Sequence, residues 1–228
     1  MKHLLKDAIR EGRKILLEPE AKGLLKSIEV PVPPYEVVRD IEEAQEKAER
    51  LGYPVVLKVI SPDITHKTEA GGVCTGITDV EALKKAWMEM VLKVAHKRPG
   101  ARIEGFVVEK MVKKGVEVIV GTIRDEQFGP VVMFGTGGIA VELFKDVSYR
   151  LAPVSLEGAH DMMREPKGFV LLNGYRGAPP CDVEALAHTL VKVSRLLCDL
   201  KELEGFEVNP LVVYEQGVIA VDAKATLL

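Results

Sequence analysis

The residues Glu207-Val208-Asn209-Pro210-Leu211-Val212-Val213-Tyr214, followed after Glu215-Gln216 by Gly217-Val218-Ile219-Ala220-Val221-Asp222-Ala223-Lys224, set the frame for the whole chain. Two apolar strands meet at a turn, and each carries a polar group where a strand normally places an aliphatic one. Pairing Tyr214 with Gly217 puts Asn209 directly opposite Asp222, so that both side chains share one face. Asn209 and Asp222 are hard oxygen donors, which suit Mg2+ rather than a transition metal. Two alternatives stay open at this level. Gly217 could close a three-residue loop with a bulge, shifting the register by one. The pair could also be two solvated residues on an edge hairpin.

Working outward, composition removes several function classes. The chain has 228 residues, 47% of them hydrophobic, which is ample for one large domain or two lobes. Lys+Arg 31 against Asp+Glu 34 leaves a formal charge of -3, so the basic excess that phosphate-backbone binding requires is missing and no nucleic-acid partner is expected. Cys74, Cys181 and Cys198 have neither paired nor metal-ligand spacing, which argues for a reducing compartment and against a disulfide framework or zinc site. Charges interrupt the first apolar run at once, unlike a signal peptide, and no apolar run approaches membrane-spanning length. A soluble cytoplasmic protein with no membrane partner is the expectation.

Along the chain, residues 4–26 read as helical in two pieces, with Pro19 in the first turn of the second. Val30-Pro31-Val32-Pro33-Pro34-Tyr35 is too proline-rich for a helix or a central strand. Asp40, Asp79 and Asp182 are positioned to cap helices running to about 50, 95 and 200. Strands are expected at 54–60, 106–112, 116–121 and 130–134, with Lys113-Lys114-Gly115 turning the second into an antiparallel partner, the third. Helices alternate with strands, yet several neighbouring strands read as hairpins. This favours α+β over a doubly wound sheet.

Lys58 stands inside the apolar strand Val55-Val56-Leu57-Lys58-Val59-Ile60. A lysine aimed into a site from a strand is a standard way to hold a nucleotide phosphate, whereas simple alternation would point it to solvent. The following loop, Ser61 to Gly72, ends in Gly71-Gly72, whose small residues let backbone N–H groups approach a phosphate. It carries His66, an imidazole able to act as nucleophile or proton carrier near neutral pH, or simply an exposed loop histidine. The segment Glu109-Lys110-Met111-Val112 could present backbone groups to a purine edge with Met111 on its face, and Glu117 could take ribose hydroxyls. Ordinary outward alternation is the competing reading of both. Gly135-Thr136-Gly137-Gly138 follows a strand but lacks the spacing and lysine of a Walker loop; Arg150 and Arg176 are the nearby basic groups that could face a phosphate.

Taken in order, a strand lysine, a glycine-ended loop, a segment bearing Glu109 and Glu117, and a terminal Asn209/Asp222 pair resemble the ATP-grasp fold: two lobes, each with a mainly antiparallel sheet and packed helices, here assigned to 28–110 and 111–228. More narrowly, Val-Val-Leu-Lys at 55–58, Ser-Pro-Asp-Ile-Thr-His-Lys-Thr-Glu-Ala-Gly-Gly-Val at 61–73, Phe-Gly-Thr-Gly-Gly at 134–138, Glu-Val-Asn-Pro-Leu at 207–211 and Val-Asp-Ala-Lys at 221–224 look like the beta subunit of ADP-forming acyl-CoA synthetases. The resemblance implies that Lys58 contacts nucleotide phosphate, that Glu109, Met111 and Val112 hold adenine, that Glu117 holds ribose, and that Asn209 and Asp222 bind Mg2+. It implies ADP/ATP as substrate, His66 as a second phosphohistidine, and a hetero-oligomer with an alpha subunit that carries the CoA-binding and phosphohistidine domains. A stand-alone ATP-grasp carboxylate–amine ligase and a non-catalytic nucleotide-sensing module are the alternatives. The acyl group, the ADP or GDP preference, the stoichiometry and any role of Glu207 stay undetermined by sequence.

Overall fold

The computed structural model describes residues 2–137 and 146–228, with side chains described from Leu5 onward. In chain order its elements are α1 (Lys2–Arg10), β1 (Ile15–Leu16), α2 (Glu18–Ser27), β2 (Tyr35–Val38), α3 (Ile41–Leu51), β3 (Val55–Ile60), β4 (Val73–Ile77), α4 (Val80–Lys97), β5 (Gly105–Lys110), β6 (Val116–Asp125), β7 (Gly129–Thr136), β8 (Val147–Leu151), α5 (Leu156–Arg164), a 3-10 turn (Lys167–Leu171), α6 (Val183–Asp199), β9 (Leu203–Val213), β10 (Val218–Ala220) and β11 (Ala223–Leu227). They fall into two units, one made of 33–113 and the other of 1–32 with 114–228.

The caps explain where the helices begin. The carboxylates of Asp40 and Asp79 accept from the N–H groups of Glu43 and Ala82, each at 2.8 Å, and Gly52 ends α3 at φ 74°. Asp182 accepts from Ala185 N–H at 2.9 Å and also from Gly217 N–H at 2.8 Å, so one carboxylate starts α6 and pins the turn after β9. Pro19 sits in the first turn of α2, where its missing N–H costs nothing.

The 33–113 unit is a four-stranded antiparallel sheet in the order β2-β5-β3-β4. Leu57, Val59 and Val108 on one face pack with Ala44 and Ala48 of α3 and Leu83, Met90 and Val94 of α4. The other unit is a seven-stranded sheet, β1-β11-β9-β6-β7-β8, with β10 added to β9, and every pairing is antiparallel. One face is covered by helices: Val120, Val132, Phe134, Val208 and Leu211 share a core with Leu24 of α2, Met162 of α5, and Leu190 and Leu197 of α6. Phe134 and Phe206 are among the largest fully buried side chains, and truncating either would remove about 3–5 kcal/mol.

The fold is α+β with two antiparallel sheets, in line with the sequence reading, but one pairing is corrected. β5 and β6 do not form the expected hairpin around Lys113-Lys114-Gly115. β5 is flanked by β2 and β3, whereas β6 is flanked by β7 and β9. Both edges of each strand are already taken, so residues 111–115 connect two sheets rather than turning within one. β4 and β8, which the sequence reading passes over, are short strands at the ends of their sheets.

Candidate functional site

In the 33–113 unit the site is built on β3 and β5. Every residue of β3 is buried, and the lysine is no exception: Lys58 is 3% exposed. Its Nζ donates to Glu109 Oε1 at 2.9 Å, and Glu109 is 1% exposed. Lys58 sits opposite Val107, which puts it diagonal to Glu109 on one face of the sheet. A buried cation of this kind requires such a partner. Alternation alone would have sent Lys58 to solvent; the burial of its face overrides that reading. Glu109 thus pairs with Lys58 inside the sheet. Further along the same segment, the N–H groups of Lys110 and Met111 donate to the carbonyls of Pro34 and Pro54 at 2.9 and 3.1 Å. Met111 and Val112 are half-buried.

The loop after β3 is anchored at both ends and open in the middle. Ile64 and Ala70 are buried, while Thr65 and His66 are exposed. Gly71 N–H donates to Thr68 O at 3.0 Å and Gly72 N–H to Lys67 O at 2.7 Å. Those two N–H groups close the loop and are not spare donors for a phosphate, which corrects the reason for expecting Gly71 and Gly72 there. Glycine is required for packing: a Cβ on Gly72 would lie 2.3 Å from Val59 Cγ1. Lys97 reaches from α4 to the carbonyl of Glu69 at 2.8 Å. The loop therefore presents His66 from a fixed frame.

In the other unit the terminal hairpin has the expected register. Val213 pairs with Val218, Val212 with Ile219 and Leu211 with Ala220. Tyr214 N–H donates to Gly217 O at 3.1 Å, and Asn209 N–H donates to Asp222 O at 3.2 Å. The same register continues through Val208 with Ala223 and Glu207 with Lys224. Asn209 thus stands opposite Asp222, and the bulged three-residue alternative is not adopted. Gly217, just after Glu215-Gln216, occupies φ 76°, a left-handed conformation that favours glycine. Asn209 Nδ2 lies 3.4 Å from Glu207 Oε1, leaving the amide oxygen as the outward donor atom. The donor chemistry fits Mg2+: an amide oxygen and a carboxylate on one face, with a second carboxylate, Glu207, two residues away. Among the described residues no three His, Cys, Asp or Glu side chains converge as a metal cluster. Water and phosphate oxygens would complete the shell, as Mg2+ prefers.

Glu117, near the start of β6, is exposed and pairs with Val212. Its carbonyl accepts from Gly137 N–H at 2.7 Å, and a Cβ on Gly137 would meet Glu117 at 2.7 Å, so this glycine serves a close backbone approach. Gly138 lies outside the described residues. Arg150 is turned to a carboxylate rather than left for a phosphate: its guanidinium pairs with Glu165, which raises the pKa of the arginine and lowers that of the acid. Arg176 stands over the ring of Tyr175 at 5.4 Å. Burial pushes the thiols of Cys74, Cys181 and Cys198 up, away from nucleophilic character.

A family model for the ATP-grasp domain matches residues 7–227. The chain is 45% identical over 226 residues to the beta subunit of acetate–CoA ligase [ADP-forming] I of Pyrococcus furiosus, covering 99% of this chain and 97% of that one. The chain belongs to the ATP-grasp family of ADP-forming acetate–CoA ligase beta subunits. A second relative, acetate–CoA ligase [ADP-forming] I of Archaeoglobus fulgidus, is 46% identical over 209 residues, which make up 91% of this chain but 30% of that one. The ATP-grasp chain also superposes on acetyl-coenzyme A synthetase 1 of Ca. Korarchaeum cryptofilum, covering 100% of this chain and 99% of that one. The TM-score is 0.97 at 41% identity for its complex with coenzyme A and Ca-AMPCP. It is 0.86 at 39% identity for the complex with coenzyme A and Mg-AMPPCP, whose phosphohistidine segment points towards the nucleotide binding site.

Sequence reasoning missed one feature of this ATP-grasp chain. A cavity of about 340 Å³ opens on the sheet face that carries Glu207 and Lys224, with Gly121, Ile123, Met133 and Tyr149 among its lining. The alternation of β6, β7 and β8 held the signal: over 119–123, 131–135 and 147–151 the positions facing away from the helices are apolar or glycine.

Proposed function

We propose that this chain is the nucleotide-binding subunit of an ADP-forming acyl-CoA synthetase, interconverting acyl-CoA, ADP and phosphate with acid, CoA and ATP together with a companion alpha subunit. The observation that carries the reading is the hairpin register, which sets Asn209 against Asp222 on the open face of the larger sheet.

Each residue then has a physical task. Asn209 and Asp222 would hold Mg2+, which when bound neutralises phosphate charge in a loose transition state. Lys58, kept in place by Glu109, directs a second fixed cation at phosphate oxygens; the transfer needs little from the protein beyond positioning and electrostatics. Met111 and Val112 face adenine, and Glu117 accepts from the ribose hydroxyls. His66 takes the phosphoryl group on a ring nitrogen as the P–N bond to the alpha subunit's histidine breaks. It then passes that group to a terminal oxygen of ADP, leaving the imidazole free. An exposed imidazole on an anchored loop suits that traffic, since access is needed at one moment and orientation at the next.

Reconstitution of the chain with its co-expressed alpha subunit tests the relay. With His66→Asn, the acid-labile phosphohistidine label on this chain should vanish, and ATP formation should fall by about 10²-fold or more. Unchanged turnover would remove His66 from the reaction while leaving the nucleotide role intact.

A further inference from the structure

An antiparallel sheet with helices on one face ordinarily turns polar residues to water on the other. β9 and β11 obey this rule: Glu207 and Lys224, paired across the two strands, lie on the open face. β6 obeys it only at its ends, where Glu117 and Asp125 are exposed, and between them β6, β7 and β8 depart from it. No open-face position at 119–123, 131–135 or 147–151 is charged. Ile123, Tyr149 and Leu151 are 57%, 55% and 62% exposed, and the register joins them into one patch: Ile123 pairs with Val131 and Val131 with Leu151, while Met133 pairs with Tyr149. Scattered exposed apolar residues mean little, but a contiguous patch with a cavity sunk into it marks an interaction surface.

We propose that this face of β6–β8 is the docking surface of the companion subunit, with an apolar side chain of that subunit seated in the cavity beside Gly121. The inference rests on the subunit reading above and names the surface that serves it. Two observations select this occupant over a second copy of the chain. In the Archaeoglobus fulgidus relative the matching region is 30% of a single polypeptide. The remainder there is held by covalent linkage; a separate subunit needs an apolar contact to stay in place. The patch is also continuous with the proposed metal end. Gly121 pairs with Glu207, and Glu207 with Lys224, two residues along their strands from Asn209 and Asp222. A subunit seated here is held next to the proposed metal end of the nucleotide site, whereas self-association would gain nothing from that proximity.

The test uses the full chain and its co-expressed companion subunit. Ile123→Glu with Leu151→Glu places two charges in the patch at exposed positions. Gly121→Leu fills the cavity instead; a Cβ at Gly121 has its nearest neighbour, Met133 Cε, at 3.4 Å, so the added side chain has room to extend. Calorimetric titration should show affinity for the companion reduced about 30-fold or more in each variant. Circular dichroism melting and Mg-ADP binding of the lone chain should stay as in the unmodified protein. Wild-type affinity for the companion in both variants overturns the proposal. So does a change confined to self-association, which would assign the face to a second copy. Failure of the subunit reading looks different: the unmodified pair would associate yet form no ATP.

Discussion

Lys58 and the Asn209/Asp222 pair are both polar groups set into apolar strands, yet they solve opposite physical problems. Lys58 is buried and tied to a buried carboxylate. Asn209 is exposed and Asp222 half-buried, each on an open face where water and a ligand can reach. A buried pair is expensive to desolvate, and its value lies in fixing one charge in one place. A solvated pair costs the fold little and can exchange water for a metal. Under the proposed function, the first is a permanent fixed cation and the second a site for a removable one.

The largest effect should come from splitting the buried pair. Lys58→Met takes away the cation that Glu109 accepts from and should lower unfolding stability by about 3–5 kcal/mol. Lys58→Met with Glu109→Leu should restore most of that loss in urea denaturation while leaving the protein inactive. If the single variant unfolds like the parent, the burial assigned to this pair is wrong. On the hairpin side, Asp182→Ala should cost about 1–2 kcal/mol, because it removes the cap of α6 and the tie to Gly217 together. The backbone N–H of Ala185, then that of Gly217, hold the Asp182 carboxyl below its usual range. A depressed carboxyl contributes stability above the unfolded pKa, near 4, and loses it as pH falls through the folded value. The difference between parent and Asp182→Asn should therefore shrink in melts run from pH 6 down to pH 3. Smaller still, Gly217→Ala at φ 76° should cost about 1 kcal/mol and leave the register unchanged. A large loss there would mean that the turn, and not the strand pairing, holds Asn209 opposite Asp222.

The same comparison explains what sequence could tell. The hairpin was legible because period-2 counting carries a Tyr214–Gly217 match back to Asn209 and Asp222, although only the strand pairing itself excludes the bulged register. Lys58 was legible as a residue of interest but not in its surroundings, since alternation says which side chains share a face and not whether that face meets water. The Lys58–Glu109 pair was not legible, because the two lie 51 residues apart in sequence and only the β3–β5 register brings them together. The β5–β6 connection misled for a related reason: Lys113-Lys114-Gly115 announces a chain reversal, but nothing local says that the next strand joins another sheet. Gly71 and Gly72 looked like phosphate donors until their N–H groups were found closing the loop. Arg150 looked available until the end of α5 supplied Glu165.

The central claim is that Asn209 and Asp222 form the metal end of a nucleotide site carried by this chain. Calorimetric titration of ADP into the lone chain, with and without Mg2+, tests it most directly, with Asp222→Asn as the variant. ADP binding should strengthen at least about tenfold when Mg2+ is added, or about 1.4 kcal/mol. Asp222→Asn should abolish the strengthening while the melting temperature stays near that of the parent. Equal affinity with and without Mg2+, or an unchanged metal dependence in Asp222→Asn, would contradict it.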